Sequence, residues 1–458
     1  MDELRMSERA ARARELAERL REQDVRAVAI TFVDNAGVTR VKGVPLGRLE
    51  HAMTAGVGMS PIFDVFLVND DITTSKVIGG PDGDLRLFPD PAFTVPLAGQ
   101  PGWAWAPVDR RTQEGEIYPA CQRSFARRMT EEARKQGFEL RMAFEVEWMV
   151  GRDDDGSFVP ACHGPAYGMT RVIELSDYTA ELLEALDRQG MGAEQLHPEY
   201  ADGQLELSVD ASDPVGAADL NVLVRQTIRA VSRRHGFDAT FAPSVVAGLV
   251  GNGSHVHVSL WREGRNLFAG GEGRYGIQGT GEAFLAGILD ALPALCAIGA
   301  PSVASYIRLV PSHWAGCFQC WGRENREAAL RFVTGMIGHR EQAANAEVKC
   351  FDGSANPYLV VGCLIACGLD GVERGLTLPS EVSGDPAGWG PDELVAKGVE
   401  RLPGSLPEAL AHLERSPVLR GALGIPLYEA FRAVRQAELA LFDGRAGEDV
   451  VAATRWRY

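Results

Sequence analysis

Three stretches of the chain alternate apolar and polar residues with the period of a strand, and in each the polar face carries acids or histidines. In Ala143–Val150 (AFEVEWMV), Phe144, Val146 and Trp148 form the apolar face, opposite Glu145 and Glu147. In 196–209 (LHPEYADGQLELSV), Leu205, Leu207 and Val209 oppose Gln204, Glu206 and Ser208, with Glu199 just upstream of the Asp-Gly turn. In 251–260 (GNGSHVHVSL), Val256, Val258 and Leu260 oppose His255, His257 and Ser259. Helical periodicity predicts helices over 7–22, over 120–136 with Gly137 closing it, over 174–189, and over 214–235, where Leu220, Leu223, Val224, Ile228 and Val231 share a face. Strands are predicted over 138–150, around 191–209 and over 253–260. Residues 24–110 read as a small β-rich unit with a hairpin turn at Asp34-Asn-Ala-Gly37. The pattern predicts an α+β protein with an N-terminal helix (1–23), a β-rich domain (24–112) and a larger domain (113–458). The Pro/Gly-rich segment 378–391 is expected to be a surface loop.

Those polar faces suggest chemistry. Glutamate is depleted in strands, and two on one face repel each other unless a cation lies between them. Four acids and two histidines on three strands form a set that suits Mg²⁺ or Mn²⁺ better than zinc, and such ions point to phosphoryl chemistry. Arg308, Arg323, Arg326 and Arg331 supply planar forks for carboxylate and phosphate, and Glu347 and Lys349 share one face of a short extended run. The chain has no Walker A motif and no Gly-x-Gly-x-x-Gly between a strand and a helix, so a P-loop and a Rossmann domain are not expected. Cys317 and Cys320 form a Cys-x-x-Cys without a second pair at zinc spacing or a thioredoxin-like context, and are expected to be buried thiols.

Composition narrows the class further. The chain has 458 residues, 45% hydrophobic and 24% charged, in the range of an ordinary globular protein. A net charge of −16, with acids spread along the chain, argues against nucleic acid as a partner. Eight cysteines are too few for a disulfide framework, and the N-terminal residues show no apolar signal segment. The longest apolar run, 358–369, is too short to span a bilayer. A cytoplasmic protein with reduced thiols and no membrane association is expected.

In order along the chain, FVDNAG, FEVEW, HPEYADGQLE, GNGSHVHVSL, SYIRLVPS, ENREAALR, ANPYL and the final RWRY resemble the glutamine synthetase family, type I and its relatives. The resemblance implies a β-grasp N-terminal domain, a catalytic domain with a curved antiparallel sheet flanked by helices, and a homo-oligomer, usually a dodecamer of two hexameric rings. It implies ATP-dependent activation of the γ-carboxylate of glutamate as γ-glutamyl phosphate, followed by attack of an amine, with two or three Mg²⁺ or Mn²⁺ ions. By position, Glu147, Glu199 and Glu206 match ligands of one metal; Glu145, His255 and Glu347 match ligands of the second. Gly251, Arg308 and Lys349 match glutamate-binding positions, and Arg326 and Arg331 those stabilising the transferred phosphoryl group. Glu194, His257, Ser259 and Arg331 match ATP-contacting positions. Asp34 matches the aspartate that reaches into a neighbouring subunit's site.

Two departures bear on the substrate. The flap of the glutamine synthetases carries a glutamate that takes the proton of ammonium, and here Trp314 holds that position. Tryptophan accepts no proton and offers a flat π-face, which favours an organic amine over bare ammonium. His313 beside it is the candidate base. Lys349 stands where the glutamine synthetases have an arginine. The γ-glutamylpolyamine, γ-glutamylethanolamide and γ-glutamylanilide synthetases are relatives with a remodelled flap; ammonia use, or a catalytically silent role, is the alternative. For a polyamine, Asp64, Asp70 and Asp71 are candidate acids for its distal charges.

Overall fold

The computed structural model describes the chain from residue 3 to residue 458, with side chains from Ser7 onward. The first unit is a six-stranded sheet in the order Thr39–Pro45, Ala27–Val33, Trp103–Thr112, Leu85–Pro89, Val57–Met59, with Val95–Pro96 also paired to Trp103–Thr112. Ala27–Val33 and Trp103–Thr112 run parallel, so the first and last long strands of the unit lie side by side. The helix Glu3–Glu22 presents Ala13, Leu16 and Leu20 to Val28, Ile30, Leu49 and Leu87, which buries one face of this sheet.

The remaining strands form two sheets that meet at Glu145. A five-stranded antiparallel sheet has the order Ala193–Pro198, Gln204–Val209, Val146–Asp154, Asp238–Thr240, with Ser157–Pro160 on its flank. A seven-stranded sheet contains Arg265–Asn266, Val256–Arg262, Asn345–Val348, Ala328–Val333, Phe318–Arg323 and Glu400–Arg401, with Glu139–Phe144 paired to Val256–Arg262. One pair in it, Phe318–Arg323 beside Ala328–Val333, is parallel. The short connection that brings the chain back between them begins at Glu324 (φ 54°), whose N–H donates to the carbonyl of Phe332.

The expected strand 138–150 is therefore two strands, broken at Glu145. Glu139–Phe144 belongs to the seven-stranded sheet and Val146–Asp154 to the five-stranded one. The Glu145 N–H donates to the His255 carbonyl at 2.9 Å, so the break is hydrogen-bonded and joins the sheets. The apolar alternation survives it, with Phe144, Val146 and Trp148 all buried.

Helices cover the sheets, among them Gln122–Lys135, Pro214–Arg234, Gly279–Gly299 and Pro357–Arg374. The expected helix over 174–189 is Ser176–Arg188, preceded by the short helix Met169–Glu174. Gly279–Gly299 is long and apolar enough to cross a membrane, but 78% of that window is buried inside the protein, as befits a core helix. It touches Pro357–Arg374 backbone to backbone: a Cβ on Gly287 would sit 2.3 Å from the Cys367 carbonyl oxygen. All eight cysteines are free and buried, Cys317 and Cys320 included.

Buried polar side chains tie the N-terminal unit to the rest. Arg123 pairs with Asp90 and Asp109 on one side and with Asp219 of the helix Pro214–Arg234 on the other, at 2.7–3.0 Å. Asn356 caps Pro357–Arg374 through its Oδ1, which accepts from the N–H groups of Tyr358 and Leu359. Its Nδ2 donates to the carbonyls of Val33 and Asp34 in the hairpin turn. That turn lies so close that a Cβ on Gly37, whose φ is +84°, would meet the Ser354 carbonyl at 2.0 Å. Replacing Asn356 with Ala should lower stability by about 2–4 kcal/mol, since a cap and two buried carbonyl contacts are lost together. The effect would be read as unfolding at lower urea, and an unchanged midpoint would show that the tie contributes nothing.

Candidate active site

Strand register builds the site as two rungs. In the five-stranded sheet His197, Glu206 and Glu147 lie directly opposite one another on three adjacent strands. In the seven-stranded sheet the rung is Arg331, Glu347 and His257. Glu145, at the break between the sheets, and His255 connect the two.

The distances show how tightly the charges are packed. His255 Nδ1 is 3.0 Å from Glu145 Oε2 and 3.1 Å from Glu347 Oε1, and His257 Nε2 is 3.1 Å from Glu145 Oε1. His197 Nε2 is 3.2 Å from Glu206 Oε1 and its Nδ1 is 3.7 Å from Glu199 Oε1. Glu147 Oε2 accepts from the Gly253 N–H (2.8 Å) and from Gln204 Nε2 (3.1 Å). Glu347 also receives Arg331 Nη1 at 2.9 Å and Lys349 Nζ at 3.0 Å. Arg308 Nη2 lies 3.4 Å from His255 Nε2 and donates to the Lys349 carbonyl.

Proton affinities follow from this crowding. Burial, with the charges of Glu147 and Glu206 nearby, pushes Glu199 up to about 7. Its hydrogen bond to Glu206 raises His197 to about 9, against the opposing effect of burial. Burial would raise Glu145 as well, but the hydrogen bonds of His255 and His257 outweigh it and hold this carboxyl below the usual range. Glu347 is likewise held well below that range, by Lys349 and His255 against its burial.

A cavity of about 720 Å³ opens onto both rungs. Of the residues expected from the sequence, Glu145, Glu147, Glu199, Glu206, Gly251, His255, Arg308, His313, Trp314, Arg326, Arg331 and Lys349 line it. Glu347 lies immediately behind, bonded to Arg331 and Lys349. The donor set fits divalent cations: Glu145, His257 and Glu347, then Glu145, Glu206 and His255, then His197, Glu199 and Glu206 each bring three donor atoms within 4.8 Å. His257 stands beside Glu145 and Glu347 in these groups, and His197, which sequence reasoning passed over, stands beside Glu199 and Glu206. Its partners in the register are the only signal that would have found it, since alternation places residue 197 opposite Glu206.

Other expected residues do not reach the cavity. The strand 193–198 bulges between Ala193 and Gln195, which leaves Glu194 exposed against Asp210 and sends Gln195 to the cavity wall instead. Ser259 is buried and accepts from Trp261 Nε1. Asp34 is fully buried, with its carboxylate on Arg40 at 2.7 Å and on the Val38 N–H; burial raises it to about 6 against the pull of Arg40. Asp64 is no free acid either: it is buried against Arg110 at 2.7 Å. Asp70 is half exposed and pairs with Arg40 and Arg457.

Two aromatic residues were also missed. Tyr200 packs against Trp314 with ring centroids 5.4 Å apart, and Tyr167 donates its hydroxyl to Glu199 at 2.8 Å. Tyr167, Tyr200 and Trp314 all line the cavity and remain 55%, 48% and 43% exposed.

Known proteins share this arrangement. Residues 119–451 match the glutamine synthetase catalytic domain, and residues 11–114 the glutamine synthetase N-terminal domain. The chain belongs to the glutamine synthetase family. It is 54% identical over 450 residues to the γ-glutamylpolyamine synthetase GlnA3 of Streptomyces coelicolor, covering 98% of this chain and 97% of that one. Identity to the glutamine synthetase of Halobacterium salinarum is 30%, over 93% of this chain and 92% of the relative. Among solved structures, a novel glutamine synthase homolog superposes with a TM-score of 0.85 at 32% identity, covering 95% of this chain and 99% of the other. A GmaS/ADP complex superposes at 0.83 with 29% identity, covering 94% and 97%. The chain is an ATP-dependent ligase that joins glutamate to an amine and uses a divalent metal.

A metal held by these carboxylates would neutralise charge on phosphoryl oxygens. Because the bare site is a set of crowded acids, adding Mg²⁺ or Mn²⁺ should raise the unfolding temperature; an ion at a hundred times its Kd contributes about 2.7 kcal/mol. Glu206→Gln should weaken ion binding by at least 10-fold, as followed by calorimetry. The same thermal gain in that variant as in the unaltered chain would rule these carboxylates out as the ion site.

Proposed function

We propose that this ligase transfers the γ-carboxyl group of glutamate to a primary amine of an aliphatic polyamine, by way of γ-glutamyl phosphate, with two or three Mg²⁺ or Mn²⁺ ions. The observation that carries the choice of amine is the aromatic rim, in which Trp314 packs on Tyr200 with Tyr167 across from them. Flat π-faces hold an alkylammonium by cation–π attraction and cover its methylene chain, neither of which helps a bare ammonium ion in water. The likeness to the Streptomyces relative, a γ-glutamylpolyamine synthetase, supports the same reading.

In this reading Arg308, Lys349 and the backbone at Gly251 hold glutamate, while Arg326 and Arg331 meet the phosphoryl oxygens that gain charge during transfer. His257 supports Glu145 from behind the cavity wall. Glu194 and Ser259 lie outside the cavity, so any contact they make with ATP falls beyond its wall. Asp34, paired with Arg40 inside its own chain, would act at a neighbouring subunit's site, as the resemblance implies. The family resemblance supports a ring-shaped homo-oligomer, a dodecamer of two hexamers, and eight unpaired cysteines support a cytoplasmic setting.

Phosphate release measured with glutamate, ATP and a panel of putrescine, spermidine, ethanolamine, aniline and ammonium tests the reading. A polyamine is expected to exceed ammonium in kcat/KM by at least 10-fold. Ammonium equal to the best amine would overturn it. Trp314→Ala should raise the KM for the polyamine by about 5- to 30-fold, the worth of one cation–π contact, while the KM for glutamate changes little.

A further inference from the structure

The amine enters as an ammonium ion and cannot attack until it loses a proton, yet Trp314 stands where the glutamine synthetases place their proton acceptor. Glu327 lies directly beneath it. Its Oε1 accepts the Trp314 N–H at 3.1 Å, and its Oε2 is buried with no hydrogen-bond partner. A buried carboxylate oxygen without a partner is costly unless something fills the position during the reaction.

The surroundings hold this carboxylate in place. Glu327 ends the short return between Phe318–Arg323 and Ala328–Val333, and its own N–H donates to Asn325 Oδ1 at 3.0 Å. Asn325 in turn donates to the carbonyls of Val382 and Gly384, which fixes the return against the neighbouring loop. Arg326, one residue before it, and Trp314, above it, both line the cavity. Above it the flap carries two non-glycine residues at positive φ, Ser312 (59°) and Trp314 (54°), a conformation rare for a bulky side chain. The flap is held there by the Glu327 contact and by Ser312 Oγ donating to Asp385 at 2.8 Å.

The charges facing Glu327 are few. Asp385, the Cys317 thiol and Lys349 lie near enough for their charges to act on it or its charge on them. Lys349 is already committed to Glu347 at 3.0 Å, so it leaves Oε2 free. Burial and the charge of Asp385 raise the proton affinity of Glu327, against the effects of the Trp314 N–H and Lys349.

We propose that Glu327 is the proton acceptor for the incoming amine, its carboxylate standing in for the flap acid that Trp314 displaced. This rests on the reading of the chain as a ligase for organic amines. Glu327 is not itself a lining residue but stands just behind two that are, Trp314 and Arg326, and catalytic contacts of a general base are often long until substrate is bound. The ammonium R–NH₃⁺ gives one proton to Oε2 and becomes R–NH₂. Its lone pair forms the C–N bond to the γ-carbonyl carbon while the C–O bond to phosphate breaks. Phosphate leaves with that electron pair and takes up the second proton from nitrogen, and Glu327 returns its proton to solvent. Trp314 then selects the amine, and Glu327 activates it.

Glu327→Gln tests this with little disturbance, because its amide oxygen still accepts the Trp314 N–H. The full-length enzyme, with glutamate, ATP and Mg²⁺, is assayed with spermidine and, in parallel, with hydroxylamine, a nucleophile already neutral near pH 7. Turnover with spermidine should fall by at least 100-fold, the usual worth of a general base, whereas turnover with hydroxylamine should stay within 3-fold of the unaltered chain. Undiminished spermidine turnover would overturn the proposal, and so would equal losses with both nucleophiles, which would mean a structural role. If the unaltered chain prefers ammonium, the polyamine reading fails by itself, and the same two-nucleophile comparison run with ammonium still decides the role of Glu327.

Discussion

Glu147 and Glu206 face each other across two antiparallel strands, and neither can withdraw without shifting the register that buries Trp148, Leu205 and Leu207 on the opposite side. Like charges in directly opposed positions destabilise a sheet. Glu199 adds a third carboxylate close enough to be pushed up to about 7 by burial and by these two. Most of the neighbouring structure answers that repulsion. His197 and His255 lean on the acids, and Gln204 and the Gly253 N–H hold one oxygen of Glu147. Divalent cations held here would complete the neutralisation, and the same positive charge would then serve the phosphoryl group. Site and fold are thus one construction, since the apolar faces that make the core also fix the acids in their opposition.

The break at Glu145 extends the argument to the second sheet. A single strand could not present Glu145 to His255, His257 and Glu347 while its neighbour Glu147 faced Glu206. By ending one strand at Phe144 and starting another at Val146, the chain frees Glu145 at the break to face the second sheet while Glu147 stays in the first. Arg331 and Lys349 reach Glu347 from that second sheet, so the cationic side of the cavity is set by the same register.

Much of this was legible in the sequence, for a physical reason. Strand alternation is local, and it identified Glu145, Glu147, Glu206, His255 and His257 along with the apolar faces beneath them. What depends on pairing between distant strands was not legible. His197 gains its meaning only opposite Glu206, Glu194 loses its place through a bulge at 193–195, and the strand break at 145 leaves the alternation intact. Tyr167 and Tyr200 lie outside the regular strands, where no period marks them, and Glu327 looked like one charge among several. Asp64 was read as an available acid, but it is consumed by a buried pair with Arg110 that no spacing reveals, as none reveals the Asp34–Arg40 pair.

The central claim is that the acids and arginines serve to make the γ-carboxylate of glutamate attackable by placing a phosphoryl group on it. Oxygen tracing tests this directly. With ¹⁸O in the γ-carboxylate, ATP, Mg²⁺ and a diamine, the inorganic phosphate released alongside γ-glutamylamide should carry one ¹⁸O atom from glutamate. Phosphate free of label, with amide still formed, would contradict the account.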